Sequence, residues 1–312
     1  MGGGAKRRAH ASASAVYETD LGEMLNVSIE EALEVEPLQG VAGEVDLIFT
    51  SPPFPLVRKK KYGNHEGDEY LKWMAGLAPK LGDILAPTGS IVIEIGNAWE
   101  PGEPVMSTLP VETLLQFKNS GGFKVCQQFI GHNPARLPGP AQWVNIERIR
   151  VKDSFTYIWW MSRTGRPKAN NRNVLIDYGD DMKRLIKRGK YNAGERPSGH
   201  NISEVSFLQD NGGAIPPSVL EYSNTGNRDA YHEYCRRLGV KPHPARMSPK
   251  IAEFFVNLLT EPGDLVVDPF AGSNTTGMVA ESLGRRWISI EAKDDYARAS
   301  KGRFPTLWQD PR

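Results

Sequence analysis

Asp264-Leu265-Val266-Val267-Asp268-Pro269-Phe270-Ala271-Gly272-Ser273-Asn274-Thr275-Thr276-Gly277 is an apolar run closed by an acid, followed by a glycine turn and small polar residues. Residues 264–268 read as a buried parallel strand. Gly272 lets the backbone approach a ligand, and the helix expected from about Thr275 to Leu283 offers free N–H groups at its start. The next strand, Trp287-Ile288-Ser289-Ile290, ends at Glu291. That acid stands about 20 residues past the glycine turn, a spacing suited to gripping a ribose diol. Strand, turn, helix, strand and acid in this order predict an α/β fold with a nucleotide-like ligand.

The chemistry of that ligand is narrowed by what the motif lacks. Only one glycine fits the dinucleotide fingerprint, and no Gly-Lys-Ser/Thr follows, so NAD and ATP suit it poorly. A nucleoside joined to an amino acid fits better, and S-adenosylmethionine is such a molecule.

A second strand lies far upstream. Val45-Asp46-Leu47-Ile48-Phe49 runs into Thr50-Ser51-Pro52-Pro53-Phe54. Two consecutive prolines cannot continue a sheet ladder, so the chain leaves the sheet at the strand's carboxyl end. Ligands of open α/β sheets bind at that edge. The turn presents the Ser51 hydroxyl, carbonyls with no competing proline N–H, and the Phe54 ring. A planar amine lying on Phe54 could give its two hydrogens to Ser51 and a proline carbonyl, as the exocyclic amino group of a nucleobase would. A plain Pro-Pro turn closing a strand would look the same locally.

Between these motifs, Val16 to Asp20 reads as a short strand ending in a carboxylate, and Leu21 to Leu33 has helical apolar spacing. Glu69 to Leu85 is an amphipathic helix with Pro79 inside it. Pro87-Thr88-Gly89 predicts a turn, and Ser90 to Ile95 a buried strand. Its Glu94 needs a partner, either as a structural hydrogen bond or as a group orienting Ser51. Further elements are a helix at Val111 to Asn119 and strands at Lys124 to Ile130 and Asp153 to Ser162. The loop from His132 to Arg150 is long enough to suggest function. Periodicity fades from Arg163 to Leu238, apart from a basic helix at Asp181 to Arg188. Order returns at His243, with Ser248 expected to cap a helix that has Pro249 at its first position.

The chain has 312 residues, 39% hydrophobic and 24% charged, as in ordinary water-soluble proteins. Its two cysteines, Cys126 and Cys235, have neither disulfide-framework nor zinc-ligand spacing, so no metal site is expected. No apolar run approaches the roughly 18 residues of a membrane span. Met1 to Ala15 lack an apolar core, reading as a disordered arm rather than a signal peptide; a cytoplasmic protein is expected. Net charge is only +1, so affinity for nucleic acid must come from local patches. Arg136 to Arg196 hold fourteen Lys/Arg against six Asp/Glu, and Arg58, Lys59, Lys60 and Lys61 form a second cluster. Either could also be a solvated surface.

Together these residues carry a resemblance. The stretch 268–277 resembles the cofactor-binding motif of amino-group DNA methyltransferases, and Thr-Ser-Pro-Pro-Phe (50–54) their catalytic motif. With the catalytic motif first, the chain resembles the β group, cytosine-N4-specific members above all. Residues 58–64, 150–153, 196–200, 210–217 and 243–246 share in the likeness, which extends over about 45–305. The resemblance implies a Rossmann-like S-adenosylmethionine-dependent methyltransferase fold: a mostly parallel sheet with helices on both faces, in circularly permuted motif order. It implies a catalytic half at 16–162, an inserted target-recognition region at 163–242 and a cofactor-binding half at 243–312.

By the same resemblance Ser51, Pro52, Pro53 and Phe54 hold a flipped cytosine, with Glu94 near them. Asp268, Phe270, Gly272, Ser273, Asn274, Thr275, Thr276 and Glu291 form the cofactor site, and Asp20 meets the adenine amino group. Arg58, Lys59, Lys60, Lys61, Arg196 and His200 contact double-stranded DNA. A restriction endonuclease acting on the same site is an implied companion. Ser-Pro-Pro favours cytosine, whereas Asp-Pro-Pro-Tyr is typical of adenine enzymes. Two alternatives remain open at this point, an adenine-N6 enzyme of the same fold and a protein that binds DNA and cofactor without turnover.

Overall fold

The computed structural model describes residues 13–54, 67–205, 207–223 and 229–309. Most of the N-terminal arm and all of Arg58, Lys59, Lys60 and Lys61 lie outside the described residues. The chain divides into two compact units, 1–169 with 218–312, and 170–217.

In chain order the larger unit contains β1 (Ala15–Glu18), β2 (Gly22–Leu25), α1 (Ile29–Ala32), β3 (Val45–Thr50), α2 (Gly67–Ile84), β4 (Leu85–Gly96), α3 (Leu109–Gly121), β5 (Lys124–His132) and β6 (Phe155–Ser162). The smaller unit has α4 (Asp180–Arg188), β7 (Gly194–Glu195) and β8 (Asn201–Ile202). The larger unit resumes with β9 (Val219–Glu221), α5 (Ala230–Leu238), α6 (Pro249–Leu259), β10 (Leu265–Asp268), α7 (Thr275–Ser282), β11 (Arg286–Ile290) and α8 (Asp294–Ser300).

A single nine-stranded sheet organises the larger unit in the order β1-β2-β11-β10-β3-β4-β6-β5-β9. β2, β11, β10, β3 and β4 pair in parallel, and β6 is antiparallel to both its neighbours. Strand alternation places helices on both faces. Ile48 joins the cluster formed by Tyr70, Met74, Leu77 and Leu81 of α2 with Phe117 of α3. Its neighbour Phe49 meets Phe255 of α6 on the other face, ring centroids 5.5 Å apart. From the central pair the chain winds outward both ways, β3 to β4 and β10 to β11. The crevice at the carboxyl ends of β3 and β10 is therefore the switch point of the sheet.

Several local expectations change. The helical spacing of Leu21 to Leu33 yields β2 and one helical turn instead. Gly22 to Leu25 pair with Trp287 to Ile290, so sheet pairing overrides local periodicity, and Ser28 with Glu31 starts α1 by a capping box. Pro87-Thr88-Gly89 is not a turn ahead of the strand: β4 begins at Leu85, and the register steps from Val45 opposite Leu85 to Leu47 opposite Ser90, so these residues are an irregularity within β4. Ser248 precedes α6 but makes no side-chain cap bond.

Around the smaller unit, Arg163 belongs to the larger one, bonding Gly121 O, Pro79 O and Asp83. So does α5, whose Tyr231 and Cys235 pack on Ala299 of α8. Within 170–217, α4 has no buried residue, and Ile176, Val205 and Ile215 are exposed.

Candidate active site

Asp268, the last residue of β10, joins two stretches that are more than two hundred residues apart. It is buried, and its two oxygens accept the Thr50 hydroxyl at 2.7 Å and the Thr276 hydroxyl at 2.7 Å. The Phe270 N–H donates to it at 3.1 Å. Burial pushes its carboxyl up to about 6, against the pull of these three bonds. Thr50 ends β3 and is followed directly by Ser51, so one carboxylate fixes the Ser-Pro-Pro turn against the glycine turn.

The glycine turn is built from backbone. Ala271 N–H donates to Ile290 O at 2.9 Å. Glu291 receives the Gly272 N–H at 2.9 Å on one oxygen and the Lys293 N–H at 2.8 Å on the other. Burial raises the Glu291 carboxyl, and these two N–H groups lower it. Gly272 has φ +52°, and a Cβ there would come within 3.1 Å of His243 Nε2, so a larger residue would be both strained and crowded.

The neighbouring polar side chains serve the turn from inside. Asn274 accepts the Gly277 N–H and the Ser289 hydroxyl and donates to Tyr17 Oη. The Arg303 guanidinium donates to Ser273 O and Oγ and reaches Thr275 Oγ1. Ser273, Asn274, Thr275, Thr276 and Asp268 are all buried; their side chains shape the turn, while Phe270 and Glu291 remain partly open at its surface.

Asp20 is not brought to this place. It follows β1 in the β1–β2 turn, and β2 then runs away from it to set Leu25 opposite Ile290. Asp20 therefore stands at the amino edge, lining a separate cavity of about 510 Å³ with Glu18, Glu281 and Phe304. The residue at the carboxyl end of β2 is Asn26, whose amide donates to Glu291 O at 2.8 Å. It carried no sequence signal because the strand before it was read as helix.

The second half of the site is a cleft of about 420 Å³. Ser51, Phe54 and Glu94 line it together with Asn133, Arg136, Thr156, Tyr222 and Arg246. Pro52 is buried beneath the turn and Pro53 half-buried. Phe54 lies against Gly96 at the end of β4, where a Cβ would approach its ring to 3.1 Å. Arg303 and Met247 also line the cleft; Arg303 bonds Ser273, and Thr276 contacts Met247 Sδ, so the cleft adjoins the glycine turn.

Glu94 has its partner, though not Ser51. Thr156 Oγ1 donates to it at 2.9 Å, and Tyr222 also hydrogen-bonds to it. Burial pushes its carboxyl up, with Thr156, Tyr222 and Arg136 pulling the other way. Glu94 thus braces the cleft wall. Asn133, Arg136, Thr156, Tyr222 and Arg246 were not singled out from sequence, although the His132–Arg150 loop and the 243–246 stretch contain three of them.

Arg196 and His200 belong to the smaller unit. The Arg196 N–H donates to His200 O at 2.9 Å and its guanidinium to Asn192 O at 3.0 Å. Both residues are exposed or partly so.

A family model for DNA methylases matches residues 45–302. The type II methyltransferase M.PvuII of Proteus hauseri is 44% identical over 290 residues, 92% of this chain and 85% of that enzyme. The solved PvuII DNA methyltransferase, described as cytosine-N4-specific, matches with TM-score 0.76 and 36% identity over 97% of this chain and 92% of that one. The complex of M1.HpyAVI with S-adenosylmethionine shares the fold at TM-score 0.53 and 20% identity, covering 91% and 98%. With the joined motifs at the sheet's switch point and this breadth of likeness, the chain belongs to the DNA methylase family.

Proposed function

We propose that this protein transfers a methyl group from S-adenosylmethionine to the N4 amine of a cytosine in duplex DNA, at a defined site. The observation that carries this reading is the Thr50–Asp268–Thr276 junction. It sets an acceptor-lined turn next to a glycine turn whose acid is already aimed by two backbone N–H groups.

The residues suit the cofactor. Gly272 keeps a cradle open where a Cβ would crowd His243, and Glu291, held on one lone pair of each oxygen, retains acceptors for ribose hydroxyls. When bound, S-adenosylmethionine supplies a methyl group on a sulfonium, a strong electrophile.

The remaining work falls to the cleft. A cytosine amine is a poor nucleophile because its lone pair is delocalised into the ring. Ser51 Oγ and the Pro52 carbonyl accept its two hydrogens and draw the nitrogen toward tetrahedral geometry, while Phe54 holds the ring. Alignment then supplies much of the rate. The proton shed by the methylated amine leaves through these acceptors to solvent. Glu94 is a poor candidate for that proton, since its bonds go to Thr156 and Tyr222. Removing the base from the duplex costs a few kcal/mol, offset in part by stacking worth about 1–3 kcal/mol per base.

The same reading assigns target recognition to the region 163–242, with Arg196, His200 and the Arg58–Lys61 cluster on DNA phosphates. It includes a permuted motif order, a cytoplasmic setting and a restriction endonuclease sharing the site. Among the described residues no helix is long and apolar enough to cross a membrane. Transfer of labelled methyl from S-adenosylmethionine to duplex DNA tests the reading; incorporation is expected, and its absence from a folded protein with mixed-sequence DNA overturns it.

A further inference from the structure

The loop between β5 and β6 carries a feature that cofactor and base binding leave unused. Leu137 is 83% exposed, and it directly follows Arg136, whose side chain lines the target cleft. A single exposed aliphatic is ordinary on a protein surface; what marks Leu137 is its place directly after a residue that lines the cleft.

The residues just before it are tied down by hydrogen bonds. Asn133 N–H donates to Ser154 O at 2.7 Å, and Arg136 N–H to Asn133 O at 3.1 Å. Asn133 Oδ1 accepts the Ala135 N–H. The Arg136 guanidinium donates to Phe155 O at 3.2 Å, and Lys152 Nζ donates to Pro134 O at 2.8 Å. Pro138 follows Leu137 and limits its backbone further. Leu137 is one of four exposed aliphatics of this loop, with Ile146, Ile149 and Val151, and the one that directly follows a residue lining the cleft; Arg136 precedes it and Lys152 is bonded close by.

Resting on the proposed reaction, we infer that Leu137 is a positioning residue that inserts into the DNA stack in the space left when the target cytosine enters the cleft. Proteins that unstack DNA commonly do so with an apolar wedge of this kind, and an extruded base leaves a gap whose collapse would return it to the helix. The flanking cations hold the phosphates on either side. Another exposed aliphatic of the loop, Val151 at 87%, lies between Arg150 and Lys152. Arg150 stacks on Trp99 at 3.8 Å and neither neighbour of Val151 lines the cleft, so Val151 lacks the direct link that Arg136 gives Leu137.

The test uses the full chain and a duplex containing its own site, found by methylation-aware sequencing of DNA from a modification-free host expressing the protein. If no DNA is methylated, the proposed reaction itself fails. With a methylated site in hand, Leu137→Ala should leave the unfolding temperature unchanged and lower kcat/KM on the paired duplex by about tenfold. The loss should largely vanish when the target cytosine stands opposite an abasic site, where no pair must be broken. Leu137→Met should retain activity, and Val151→Ala should behave as wild type. Leu137→Ala activity equal to wild type, an equal loss on both duplexes, or an equal loss in Val151→Ala would overturn the inference.

Discussion

The glycine turn and the target cleft meet at the same sheet edge but are built in opposite ways. Around the turn, Asp268, Ser273, Asn274, Thr275 and Thr276 are buried and bonded to one another, to Thr50, to Arg303 or, for Asn274, to Gly277, Ser289 and Tyr17. Around the cleft, Ser51, Phe54, Asn133 and Arg136 are only partly buried. The first group is part of the core, whereas the second faces the cleft opening, although Glu94, Thr156 and Tyr222 of the cleft wall are buried. A change in the first should therefore cost stability, and a change in the second should cost turnover with the fold intact.

The largest effect should come from Ser51→Ala. Losing an acceptor that matters most as the amine becomes tetrahedral should lower kcat by about 10²–10³-fold, by analogy with loss of one transition-state hydrogen bond. Calorimetric unfolding should be unchanged and cofactor binding retained. A drop in unfolding temperature with kcat preserved would reverse the distinction between the two halves.

Next in size is Asp268→Ala. It would leave the Thr50 and Thr276 hydroxyls without their acceptor in a buried place, at a cost of about 1–3 kcal/mol for each group left unsatisfied. Denaturant unfolding should show that loss. The milder Asp268→Asn sharpens the point through pH. The carboxyl titrates at about 6 in the folded protein against 3.8 in the reference state. Its contribution is fully present below the lower value, falls as pH rises because the unfolded chain ionises first, and is gone above the higher one. Wild-type stability should therefore decline relative to Asp268→Asn between about pH 4 and pH 6; parallel curves would remove the raised carboxyl.

Phe54→Ala should have the smallest effect. Loss of one stacking surface, worth about 1–3 kcal/mol, should raise KM and lower kcat together while stability changes little. A KM and kcat both at wild-type values would take Phe54 out of base binding.

The same contrast explains what could be read before folding. The strands at 45–50 and 265–268 and the turns after them were legible because continuous apolar runs ending in proline or glycine are local signals. Gly272 and Glu291, whose spacing of about 20 residues suggested a ribose-gripping acid, also hydrogen-bond to each other, a contact the spacing did not announce. β2 was not legible, because its pairing with β11 is a tertiary event that outweighs helical spacing. The resemblance pointed to Asp20, but with β2 in place Asp20 lies at the strand's amino end and Asn26 at its carboxyl end. The cleft wall was the least legible part. Thr156 and Tyr222 meet Glu94 from β6 and from just past β9, and nothing local marks residues that converge only when the sheet forms. The junction of Thr50 with Asp268 is of the same kind: Asp268 was expected at the cofactor site and Thr50 in the catalytic motif, but their pairing appears only where β3 lies beside β10.

The chemistry proposed for the cleft is tested most directly by the modified base itself. DNA methylated by the purified protein, digested to nucleosides and separated by mass spectrometry, should yield N4-methylcytosine, and Ser51→Ala should yield little of it. Methylation confined to adenine N6 would contradict the cytosine assignment, and 5-methylcytosine would contradict direct attack by the amine.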